Sequence, residues 1–187
     1  MKKRLLEGLT ILLLVSGGLY WYSCSHSVKS TAALYALSFI SKQRYSDYAV
    51  EFTYPASWQV SEMPVEGSEV LHHVSYCEPG NRIHGFVQVW AAGENWEQFL
   101  KDSIARAPAD GTQIEDVSMK PGKIGDKEGY LVTYTRAGKR GTAAAREFFF
   151  IRDKRVYRTS LFAPKQSWSD KDIEIFNDLV SSLRVKY

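Results

Sequence analysis

The stretch "AAREFFFIRDKRVYRTSLFA", residues 144–163, constrains the fold more than any other. Two long runs rich in aromatic and β-branched residues flank Asp153-Lys154, and together they read as a β-hairpin. Strand alternation places Phe149 on one face of that hairpin and Phe148 with Phe150 on the other. Both faces must then be buried, which requires a cover on each side of the sheet. Helices are the expected covers.

Period-two signals recur from Tyr48 onward. "YAVEF" alternates and closes at Tyr54-Pro55. Proline brings no N–H to a ladder and favours an extended residue before it, so Pro55 marks a strand end or edge. Ala56 and Ser57 turn the chain, and "WQVSE" restarts it with Trp58 available to the core. "EVLHHVSYC" and "GFVQVWAAG" form a further hairpin across "EPGNRIH", where Glu78-Pro79-Gly80-Asn81 is turn chemistry. "TQIEDVSM" reads as a strand. "KIGDKEGYLVTYTR" holds a tight turn at Asp126 and Lys127, then a strand with Tyr130, Val132 and Tyr134 on one face.

Helical periodicity occurs in three places. "TAALYALSFISKQR", residues 31–44, can bring Leu34, Leu37 and either Tyr35 or Phe39 to one face. "ENWEQFLKDSIARA" has Asn95 and Gln98 spaced for a capping box, with Trp96, Phe99, Leu100 and Ile104 in one stripe. "SDKDIEIFNDLVSSLRV" offers Ser169 and Asp172 as a cap, with Ile173, Phe176, Leu179, Val180 and Leu183 facing inward. Strands dominate and no βαβ alternation is present. The fold class is therefore α+β, an antiparallel β-sheet sandwiched by helices.

The first 25 residues add an appendage. Lys2, Lys3 and Arg4 precede an apolar run, and the uncharged stretch from Gly8 to Ser25 holds 18 residues. A helix needs about 20 to cross the hydrocarbon core. Tyr20, Trp21 and Tyr22 end the run as an interfacial aromatic belt would, and the basic flank should stay in the cytoplasm. An uncleaved signal anchor, a cleaved secretory signal and a lipoprotein attached through Cys24 are three alternatives. All three place the rest of the chain outside the cytoplasmic membrane. The sequence thus divides into an anchor or signal at 1–25, a linker with a short helix at 26–46, and a globular domain at 47–187.

Chemical signals are sparse. Two cysteines, Cys24 and Cys77, exclude a disulfide framework and a zinc ribbon, leaving a Cys24–Cys77 bridge as one alternative. "HHVSYC" followed by His84 invites a metal reading. If the turn pairs Cys77 with Ile83, His73 and Cys77 share one face while His72 and His84 share the other. A register shifted by one brings His84 opposite Cys77 but leaves His73 four residues away. Ordinary strand residues are the expectation in either case. No G-x-S-x-G, H-E-x-x-H or phosphate loop occurs. No catalytic, cofactor-binding or metal-binding residue is therefore assigned; a hydrolase using His72, His73 or His84 is the least favoured function.

Charge is more informative. Nine basic residues lie between Arg136 and Lys165, opposed only by Glu147 and Asp153, although the whole chain carries a net charge of just +3. That total is too small to imply nucleic acid. Solvated hairpin tips explain much of the cluster. The functional reading is a partner-facing basic patch of Arg136, Lys139, Arg140, Lys154, Arg155 and Arg158, directed at an anionic envelope component or an acidic protein.

"FTYPASWQV", residues 52–60, resembles the entry motif of PsbP-like domains: an aromatic, then Tyr/Phe-Pro, a few residues, then Trp. "VQVWAA", the helix at 96–105, "GDKEGYLVTY" and the terminal "FNDLVSSLRV" resemble the later segments of such domains, so the likeness covers about residues 47–187. The resemblance implies an antiparallel sheet between helix layers. It also implies binding or assembly without catalysis, and no ligand residue carries over. The expected function is a membrane-anchored, extracytoplasmic PsbP-like binding or assembly module, with membrane lipid contacted through the N-terminal helix. The alternative is an envelope carrier for lipid or a small apolar ligand held between sheet and helix.

Overall fold

The hairpin at Asp153-Lys154 forms the spine of a seven-stranded antiparallel sheet. A computed structural model of the chain describes residues 41–65, 69–92, 96, 98, 100, 101, 113–138 and 141–186. Its strands are β1 (Lys42–Ser46), β2 (Val50–Pro55), β3 (Gln59–Glu62), β4 (Val70–Cys77), β5 (His84–Ala91), β6 (Gln113–Ile124), β7 (Lys127–Gly138), β8 (Gly141–Arg152), β9 (Arg155–Pro164) and β10 (Arg184–Val185). The helix α1 spans Asp170–Ser182. The large sheet has the order β3-β4-β5-β9-β8-β7-β6, and a small sheet has the order β1-β2-β10. Asp153 (φ 50°) and Lys154 (φ 57°) both take the left-handed conformation that a two-residue hairpin turn matched to strand twist requires.

The Tyr54-Pro55 corner carries the chain from one sheet to the other. The Trp58 N–H donates to the Pro55 carbonyl at 2.9 Å, closing the turn. Trp58 then stacks on Tyr76 with ring centroids 5.5 Å apart, so the corner is packed into the core. Strand β2 stays in the small sheet and β3 becomes an edge of the large one.

Two cores result. One face of the large sheet presents Val74, Tyr76, Val87, Phe148, Phe150, Tyr157 and Leu161 to Val50 and Phe52 of β2 and to Phe176, Leu179, Val180 and Leu183 at α1. The other face gathers Val132, Tyr134, Ala145, Phe149, Val156 and Phe162 with Leu100. The alternation read at Phe148–Phe150 therefore holds, and burial of each ring contributes about 2–3 kcal/mol.

Helix α1 starts where Ser169 and Asp172 were expected to cap it. The Asp172 carboxylate accepts hydrogen bonds from the Ser169 N–H at 2.9 Å and the Ser169 hydroxyl at 3.0 Å. Arg82 reaches the same carboxylate with Nη2–Oδ1 at 3.0 Å, which ties the β4–β5 loop to the helix start.

Two expectations need correction. Helices do not sandwich the sheet: α1 and the small sheet share one face. On the other face the described helical residues are Trp96, Gln98, Leu100 and Lys101, with Trp96 edge-on to Tyr130 at 5.3 Å. The small sheet takes the place of a helix layer because β2 and β10 bring their own apolar residues to the core. Second, strand β1 begins at Lys42, within the segment read as a linker with a short helix. Lys42, Gln43 and Arg44, read as the end of a helix, pair with Pro55, Tyr54 and Thr53 in β1–β2. Of the two registers considered for the β4–β5 hairpin, the one that sets His84 opposite Cys77 is observed. The Glu78 N–H closes on the Ile83 carbonyl at 3.0 Å and the Glu78 carboxylate accepts from the Ile83 N–H at 3.2 Å, which moves the register by one. Among the described residues no helix is long and apolar enough to cross a membrane. The expected anchor at 1–25, Cys24 and most of the linker helix lie outside the described residues.

Candidate binding groove on the large sheet

The register of β8–β9 pairs Glu147 with Ser160 and Phe149 with Arg158. Glu147, Phe149, Arg158 and Ser160 therefore share one face of the sheet, the one opposite α1. There Glu147 is fully buried. Arg158 donates to it twice, Nη2 to Oε1 at 2.7 Å and Nε to Oε2 at 3.2 Å. The Ser160 hydroxyl donates at 2.9 Å and the Tyr134 hydroxyl at 3.1 Å. The guanidinium also lies between two rings, 4.9 Å from Phe86 and 5.3 Å from Phe149. These hydrogen bonds and the two ring faces offset the desolvation of both charges. Burial and the Glu147 charge push the Tyr134 phenol well above its ordinary range.

Around this pair the strands place further polar groups. Gln88 Nε2 lies 3.4 Å from His73 Nδ1, and Trp90 Nε1–H donates to the Gln88 carbonyl oxygen at 3.1 Å. Burial pulls the His73 imidazole below its ordinary pKa, with His72 and Arg158 adding to the effect.

Toward the β3–β4–β5 edge the face opens into a groove of about 350 Å³ lined by Gln59, Ser61, Ser75, Cys77, His84, Phe86, Arg136 and Phe162. Phe162 is the floor. His84 stacks on it at 5.4 Å with the rings 21° apart, and the Arg136 guanidinium lies 5.6 Å from its centroid. Burial, then the nearby Arg136 charge, lowers the His84 pKa. Cys77 and His84 are cross-strand neighbours.

The described residues of the expected basic patch do not share one surface. Arg136 pairs with Ala143 near the Gly138–Gly141 end of the sheet, while Arg155 pairs with Arg152 at the other. The nine-residue separation along β8 corresponds to about 30 Å. Lys154 is exposed at that far turn and Arg155 half-buried. Arg158 is only 17% exposed and spent on Glu147. Lys139 and Arg140 lie outside the described residues. Of the patch residues that are described, Arg136 alone reaches the groove.

The histidines also separate. His72 points to the α1 side, where its Nε2 is 2.7 Å from Asp47 Oδ2 and its Nδ1 3.3 Å from the Tyr48 hydroxyl. His73 and His84 share the groove face, well apart along the β4–β5 ladder. Among the described residues no group of three or more His, Cys, Asp or Glu side chains could hold a metal ion. The Glu147–Arg158 pair is invisible to charge counting, which treats the two residues as unrelated. The turn at Asp153-Lys154 nonetheless fixes the register that puts them together.

No protein-family model matches the sequence, and no curated protein sequence does either. Among solved structures, the chain is similar to CyanoP, the cyanobacterial PsbP of Synechocystis, at 17% identity over 78% of this chain and 92% of that one, with a TM-score of 0.56. It is also similar to LpqN of Mycobacterium tuberculosis, a protein involved in cell envelope biogenesis, at 10% identity over 78% of this chain and 90% of that one, with a TM-score of 0.47. The expected PsbP-like fold is the fold observed.

Proposed function

We propose that this chain is a membrane-anchored, extracytoplasmic binding module that works without catalysis, and that its groove receives an acidic segment of a partner protein. One observation carries the reading. Arg136 stands at an aromatic groove with no carboxylate paired to it among the described residues, over Phe162 and beside His84. A carboxylate entering there would meet a guanidinium already oriented by a ring, with Phe86 and Phe162 as apolar contact area.

The rest of the face supports binding over turnover. Glu147, Arg158, Tyr134 and Ser160 are committed to one another. None of these four can serve in general acid–base or nucleophilic chemistry without breaking that network. The anchored, extracytoplasmic part of the reading is supported by the basic, apolar and aromatic order of residues 2–22.

The test is an in-cell crosslinking pull-down of the full chain compared with Arg136→Glu. Charge reversal at a charge-assisted contact should lower partner recovery about tenfold. Recovery equal to the unaltered chain would remove the groove from the function. Recovery of an anionic polymer in place of a protein would keep the groove but replace the partner.

A further inference from the structure

On the opposite face of the sheet, Arg146 is half-buried without a counter-ion among the described residues. It pairs with Thr133 of β7 and Leu161 of β9 and projects toward α1. There its guanidinium carbon lies 5.5 Å from the centre of the Phe176 ring. Its Nε is out of solvent with no acceptor. Burial alone pulls its pKa below the ordinary arginine value, with no carboxylate opposing the effect. Asn177, the next residue of α1, has its Oδ1 buried with no donor.

Both side chains line a cavity of about 320 Å³ between α1 and strands β6–β8, together with Ile124, Leu131, Phe148 and Ser181. That volume falls at the lower end of the range of about 300–1,000 Å³ found for small-molecule sites. The lysines nearby are already matched. Lys123 Nζ is 3.3 Å from Glu128, and Lys127 Nζ is 2.7 Å from Asp126 and 3.2 Å from the Ser181 carbonyl. Arg146 is the unmatched charge of this wall. A buried Nε–H donor and a buried amide acceptor at one cavity wall are half of a recognition site, since each is costly without its complement.

We propose that this cavity binds a small anion that also carries an O–H donor, the anionic oxygens taking Arg146 and the hydroxyl donating to Asn177. Hydroxycarboxylates and hydrogen phosphate share that chemistry. The fork of donors on arginine suits either group. The apolar wall of Ile124, Leu131 and Phe148 limits the ligand to a short body. The site is independent of the Arg136 groove, which lies on the other face, so failure at one leaves the other standing.

The test titrates the detergent-solubilised full chain with inorganic phosphate, with glycolate and with chloride at matched ionic strength. It tracks the Nε–Hε resonance assigned to Arg146 by its loss in Arg146→Met. Saturable movement with phosphate identifies a phosphate site, with glycolate a carboxylate site; chloride should move it little. Binding measured calorimetrically should weaken about tenfold or more in Arg146→Met and in Asn177→Leu. Arg146→Met should also keep or raise the thermal midpoint without added anion, because it removes a half-buried charge that has no counter-ion among the described residues. If that variant fails to fold, Arg146→Lys, which lacks the planar fork, must show the same weakening. Resonances indifferent to both anions, or equal binding in the variants, would overturn the proposal.

Discussion

Removing either end of the Glu147–Arg158 pair leaves the other charge inside the sheet with too few partners. Glu147→Leu alone should cost about 3–5 kcal/mol, and adding Arg158→Met should recover most of that loss. Urea denaturation of the single and double variants measures the coupling. A double variant as unstable as the sum of the singles would mean that the two side chains act separately. Asp47 gives a pH-dependent counterpart. Burial raises its pKa, but the Tyr45 hydroxyl, the Val50 and Ala49 N–H groups and His72 together hold it below the ordinary carboxylate range. Below about pH 3.9 the unfolded chain binds the proton more readily than the folded one, so this stabilisation is present above that pH and is lost as pH falls through the lower folded pKa. Asp47→Asn should cost about 1–2 kcal/mol at pH 7 and flatten the loss of stability between about pH 4 and pH 2, read from urea midpoints across that range.

Turn chemistry decided which elements were legible. The β8–β9 hairpin could be read in full because a two-residue turn fixes register without ambiguity. Lys154 adopts φ 57° there with its side chain exposed. Lys154→Gly should therefore raise stability by about 0.5–1 kcal/mol, seen as a higher urea midpoint, while a lower midpoint would indicate that the lysine side chain supports the turn. The β4–β5 loop was harder. Its register depends on Glu78 bonding Ile83 and on Arg82 Nε reaching Glu78 at 3.0 Å, side-chain geometry that strand periodicity does not encode. β10 escaped notice because two residues carry no period, and β1 because "KQRYS" is polar throughout. Helix α1 was legible at both levels, since its cap and its apolar stripe point to the same helix.

For the molecule as a whole, the sequence led to an antiparallel sheet with two buried faces and to a PsbP-like fold, but not to what covers those faces. A layer made partly of a second sheet has no local signature; it exists because Tyr54-Pro55 and Trp58 send β2 and β3 to different sheets. The site was legible only in fragments. Arg136, His84 and Cys77 each stand out in the sequence, but their meeting around Phe162 depends on strands whose registers are set elsewhere. Charge counting grouped residues that the sheet separates by about 30 Å. Recognition through the Arg136 groove, the proposed work of this domain, can be tested in cells. Its most direct measurement is photo-crosslinking in cells from a reactive residue placed at Ser61, on the groove wall, and at the exposed Asp170, away from it. A discrete crosslinked protein is expected from position 61 alone, abolished by Arg136→Glu. A product of equal intensity from both positions, or one untouched by the charge reversal, would contradict that role of the groove.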